Sequence, residues 1–63
     1  MVKNKVLAWR QQLVLTQEEL AELTGVTRQT IISVEKGNYI PSVRLALKIA
    51  RVFKQPVDKI FYL

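Results

Sequence analysis

The residues from Thr16 to Gly37, TQEELAELTGVTRQTIISVEKG, leave little freedom in how this chain can fold. Thr16 with Glu19 three residues on is a capping box, in which each side chain takes up a backbone N–H that the first turn of a helix leaves unpaired. Leu20, Ala21 and Leu23 supply the buried side of that helix. Gly25 has no Cβ and can adopt the left-handed conformation, so the chain can turn sharply and still direct Val26 inward. Thr27 then caps a second helix with Ile31 and Val34 inward, ended by Gly37 and Asn38. What remains outward is Arg28, Gln29, Ile32 and Ser33, at i, i+1, i+4 and i+5 on one face. These four form a candidate reading head for DNA. Arg28 can fork onto guanine O6 and N7, and Gln29 can pair its amide with adenine N6 and N7. Both lie in the first turn, the part of a recognition helix that enters the major groove. Ser33 is short enough for a base edge or a phosphate, and Ile32 either meets a thymine methyl or closes the core.

Ala21, Gly25, Val26, Ile31, Val34 and Gly37 stand where the helix-turn-helix of the Cro/C1-type (XRE) transcriptional regulators carries small, glycine and apolar residues. With Arg10, Thr16-Gln17, Glu35 and the GNYIPS loop, the chain resembles that family over nearly its whole length. The resemblance implies an all-α fold, a compact five-helix lambda-repressor-like DNA-binding domain with the helix-turn-helix at its centre. It implies that Arg10 and Glu35 form a structural ion pair, that Gln17 binds a backbone phosphate, and that the loop from Asn38 through Tyr39 to Ser42 holds a second phosphate. Thr27 and Lys36 flank the reading face and can touch phosphate as well. Arg44 lies in the first turn of helix 4, where a cation opposes the helix dipole, which suggests an external anion. Tyr39 could equally pack its ring and offer its hydroxyl to the backbone.

Composition narrows the partners. Sixty-three residues make one domain, residues 1–63, near the lower limit at which a core suffices without staples. A stability of roughly 5 kcal/mol is the expectation. Ten Lys and Arg against five Asp and Glu, a net charge of +5, favour a polyanionic partner. The chain has no Cys or His and no phosphate-cradling glycine loop, so no metal, cofactor or enzymatic activity is expected. Glu18, Glu19 and Glu22 read as a solvated face of helix 2 rather than a catalytic pair. No apolar run approaches the ~20 residues of a membrane span and no signal peptide is evident, so a cytoplasmic protein is expected.

In chain order, helical spacing of Val2, Val6, Trp9 and Leu13 predicts helix 1 over about Lys3 to Leu13, with Trp9 a core anchor. Val14 stands where relatives often have glycine. A β-branched residue is poorly suited to a left-handed cap, so helix 1 is expected to end differently, with Val14 and Leu15 both leading into the core. Helix 4 spans about Val43 to Phe53 and buries Leu45 or Leu47 with Ile49, Ala50 and Phe53. A short helix 5 starts at Pro56 and turns Val57, Ile60 and Phe61 inward. Phe61, Tyr62 and Leu63 are three large apolar or amphipathic residues that cannot all point into their own core. They are expected to form a homodimer interface with helix 5, with a short strand pairing at the chain end.

The reading that follows is a sequence-specific double-stranded DNA-binding regulator, a dimeric repressor of an inverted repeat. The alternative is a protein-interaction module, an antitoxin or adaptor built on the same helices.

Overall fold

A computed structural model of the chain describes residues 2–63. Strand β1 (Lys3–Asn4) leads into helices α1 (Val6–Gln12), α2 (Gln17–Thr24), α3 (Arg28–Lys36) and α4 (Val43–Phe53), and a 3-10 turn at Val57–Lys59 leads into strand β2 (Phe61–Tyr62). The helices start where side chains satisfy their first N–H groups. Thr16 forms the full capping box with Glu19, Thr27 accepts from the Thr30 N–H, and Ser42 accepts from the Leu45 N–H.

All four α-helices end in the same way. The residue after the one with positive φ closes a bond back across the last turn: Leu15 N to Arg10 O at 3.0 Å, Val26 N to Ala21 O at 3.0 Å, Asn38 N to Ser33 O at 3.0 Å and Gln55 N to Ala50 O at 3.1 Å. This is the Schellman closure, which requires one residue with left-handed backbone. Gly25 and Gly37 supply it at φ 74° and 79°, but Val14 and Lys54 supply it at φ 57° and 56°. Val14 therefore takes the conformation it was expected to avoid. The three end carbonyls of α1 outweigh its strain, helped by Arg10, whose Nη1 donates to Leu15 O at 2.9 Å. Leu15 packs against the core, while Val14 is 86% exposed.

The core joins Val6 of α1, Leu20 and Ala21 of α2, Ile31 and Val34 of α3, Leu45, Ile49, Ala50 and Phe53 of α4, and Ile60. Helix α2 packs on both α3 and α4. Besides Val14, two expected core residues stand outside. Leu23 is exposed because Leu20, Ala21 and Thr24 form the stripe that faces α3 and α4, and Leu23 lies about 100° away from its centre. Buried Thr24 takes the inward place, its hydroxyl donating to Leu20 O at 2.8 Å. Leu13 is exposed because it lies past the last helical residue, where the turn at Val14 lifts it off the stripe. Trp9 is half-buried against the core, and its indole N–H donates to Lys59 O at 3.2 Å.

The fold is mostly helical rather than all-α, and five α-helices are not found among the described residues. Lys3 and Asn4 belong to a strand, not to helix 1, because they pair antiparallel with Phe61 and Tyr62: Lys3 faces Tyr62 and Asn4 faces Phe61. Asn4 ends the strand and starts α1. Its Oδ1 accepts from the Val6 N–H at 3.1 Å and its Nδ2 donates to Val34 O at 2.8 Å. The expected helix 5 is a single 3-10 turn closed by Ile60, after which the aromatic pair Phe61 and Tyr62 continues extended. No described helix is long and apolar enough to cross a membrane.

Candidate nucleic-acid interface

Glu35, near the end of α3, is the fixed point behind the proposed DNA face. Its carboxylate accepts from Arg10 Nε at 2.7 Å and Nη2 at 3.3 Å, and from Gln17 Nε2 at 3.1 Å. The Arg10 and Glu35 side chains are 13% and 7% exposed, so the pair is largely desolvated yet multiply hydrogen-bonded, the condition under which a buried charge is tolerated. One acceptor thus joins α1, the first turn of α2 and α3. Gln17 is the first residue of α2, where free N–H groups collect. Its side-chain amide is held against Glu35, which leaves its second N–H and its oxygen for other contacts.

On α3 the structure separates the reading residues by depth. Arg28 and Gln29 are exposed in the first turn, whereas Ile32 and Ser33 are half-buried one turn later. Thr27 caps the helix, and its hydroxyl lies 3.1 Å from that of Thr30. Thr27, Gln29, Thr30, Ser33, Asn38 and Tyr39 line one open groove of about 380 Å³ between α3 and the following loop. Tyr39 is exposed there, and Lys36 ends α3 in solvent. Ser42 and Arg44 line a different cleft, of about 290 Å³, with Lys48 and the turn Thr24–Val26. Of the residues expected to hold phosphate, Thr27, Asn38 and Tyr39 therefore line one cleft and Ser42 and Arg44 the other, whereas Gln17 and Lys36 line neither.

Charge placement distinguishes the helix starts. The first turn of α2 carries Glu18 and Glu19, as its dipole favours. Hydrogen bonds from Thr16, first its backbone N–H and then its hydroxyl, hold the Glu19 carboxyl below the usual glutamate range. The first turns of α3 and α4 carry no acid, and each holds an arginine instead, Arg28 and Arg44. Each placement costs a few tenths of a kcal/mol up to ~1 in the isolated protein. An anion arriving at either turn would remove that cost.

The model of a helix-turn-helix family matches residues 6–60. The chain belongs to the Cro/C1-type (XRE) helix-turn-helix family. This XRE domain is 47% identical over 62 residues to the uncharacterized HTH-type transcriptional regulator YgzD of Bacillus subtilis, covering 98% of this chain and 94% of that one. It is 52% identical over 60 residues to an uncharacterized HTH-type transcriptional regulator of Methanocaldococcus jannaschii, covering 95% and 91%. A third, from Methanothermobacter thermautotrophicus, is 58% identical over 55 residues, covering 86% and 80%. With its family, the XRE chain is a DNA-binding regulator and not an enzyme.

The links from Asn4 to Val34 and from Gln17 to Glu35 are absent from the reading of the sequence. Asn4, a strong helix-start residue two places before Val6, carried a usable signal. The tie between Gln17 and Glu35, residues on different helices, carried none.

Proposed function

We propose that this protein is a sequence-specific transcriptional regulator, a repressor that binds an inverted repeat as a homodimer in the cytoplasm. The observation that carries the reading is the exposed pair Arg28 and Gln29 in a first helical turn without acid, held on a helix whose far end is tied to α1 and α2 through Glu35. Arg28, Gln29, Ile32 and Ser33 read bases, while Gln17, Thr27, Lys36, Asn38, Tyr39, Ser42 and Arg44 hold the backbone. One recognition helix supplies too few base contacts for the ~10³-fold or greater discrimination of a specific regulator, so two copies act together, their recognition helices ~34–36 Å apart. Tyr62 and Leu63 are exposed, with Phe61 half-buried beneath them, and Lys5 Nζ lies 5.6 Å from the Tyr62 ring centroid. This end of the ribbon supplies the apolar surface for the pairing.

Selection of bound sequences from a random DNA pool tests the reading. A palindromic consensus is expected. A single unrepeated half-site would overturn the dimer, and no enrichment at all would overturn sequence-specific binding.

A further inference from the structure

Two helices carry charge of opposite sign beside exposed leucines. Helix α2 holds three of the chain's five acidic residues, Glu18, Glu19 and Glu22, and no cation. Helix α4 holds Arg44, Lys48 and Arg51 and no acid. Beside the α1–α2 connection, Leu15, Glu19, Glu22 and Leu23 line an open groove of about 390 Å³ that combines two leucines with two carboxylates. On α4, Leu47 is 55% exposed. Helical spacing sets it between Val43, itself exposed, at i−4 and Arg51 at i+4. A leucine flanked by a guanidinium is the complement of a leucine-lined groove flanked by carboxylates.

We infer that the α4 stripe Val43, Leu47 and Arg51 of one copy docks in the α1–α2 groove of a second copy, with Leu47 against Leu15 and Leu23 and Arg51 against Glu22. The occupant is a second copy because the chain carries both halves of the match, in charge and in apolar surface. The two faces differ, so the contact is heterologous and joins copies head to tail. It is separate from the pairing through Tyr62 and Leu63, and it needs no DNA. Any role in filling adjacent operators rests on the function proposed above, whereas the contact itself does not.

Sedimentation of the full chain without DNA, over a concentration series at low and high salt, tests the contact. Association beyond a dimer is expected that weakens at high salt, that Leu47→Glu reduces on the order of tenfold to a hundredfold, the range for losing one buried leucine, and that Glu22→Arg and Arg51→Glu each reduce as well. Circular dichroism should show each variant folded, since all three positions are exposed. Mixing Glu22→Arg with Arg51→Glu should restore association, since each supplies the charge the other now lacks. Association beyond a dimer that Leu47→Glu leaves intact, or association that never passes a dimer held by Tyr62 and Leu63, would overturn the proposal. So would a strictly monomeric chain, which would leave the groove to a basic segment of another protein. Half-site selection by the same variants stays normal if only this contact fails, and is lost if the DNA-binding reading fails instead.

Discussion

Gln17 and Glu35 meet through a single hydrogen bond, Nε2 to Oε1 at 3.1 Å, on the carboxylate that also carries Arg10. The proposed phosphate donor and the ion pair that holds α1 to α3 are thus one network. Removing Glu35 disturbs both at once. Glu35→Ala leaves the Arg10 guanidinium largely buried and unpaired, and should destabilise by up to ~3–5 kcal/mol in chemical denaturation. A double-mutant cycle with Arg10→Ala should show strong coupling. Additive losses would make the two residues independent.

On DNA, Arg28→Ala should weaken specific binding by ~1–3 kcal/mol and relax the preference at one base pair per half-site. Gln17→Ala should weaken cognate and random DNA alike, because a phosphate contact carries no sequence information. Equal losses on both DNAs for Arg28→Ala would remove it from the reading head.

Val14 holds a left-handed conformation with its side chain 86% exposed, so its β-branched strain is offset by no packing. Val14→Gly should stabilise by about 1 kcal/mol, the strain relieved exceeding the entropy glycine adds to the unfolded chain. Thermal unfolding should shift upward by roughly 4–8 °C. Lys54→Gly should act in the same direction. A lower melting temperature for Val14→Gly would mean that the side chain contributes packing.

The lowered Glu19 carboxyl gives a pH dependence of known sign. A folded-state value below the unfolded one contributes stability that is fully present above the usual glutamate range and is lost as pH falls through the folded value. Glu19→Gln keeps the capping geometry without the charge. Compared with that variant, the native chain should lose stability on acidification through this range. Parallel pH profiles would deny the carboxylate any such role.

What the sequence discloses about the fold follows from how each feature is encoded. Gly25 and Gly37 announce their turns because glycine is the residue a left-handed cap prefers, while the same closure at Val14 and Lys54 has no such marker. Ile31 and Val34 are legible as core from helical spacing, but Leu23 and Thr24 exchange places because hydrophobicity outranks position when only the chain is in view. Strands of two residues have no periodicity to detect, so Lys3 and Asn4 read as the start of helix 1 and the strand pairing expected at the chain end is left without its partner β1. At the candidate site, spacing separates Arg28 and Gln29 from the core. The division of the phosphate residues between two clefts depends on how the loop after α3 folds back, which no local pattern records.

The ribbon also orders events in time. Pairing Lys3 with Tyr62 and Asn4 with Phe61 closes a loop nearly the length of the chain, the entropically costliest contact in the molecule, whereas α2, α3 and α4 meet through short connections. The three-helix unit should assemble first and the ribbon last, and in the native state the ribbon should be the first part to open. The Lys5 amide, bonded to Ile60 O at 2.8 Å, should then exchange its hydrogen well before the amides inside α4. Pairing of two copies through Tyr62 and Leu63 would clamp the least durable part of the protomer, so the lifetime of the folded monomer and the strength of its assembly would rise together.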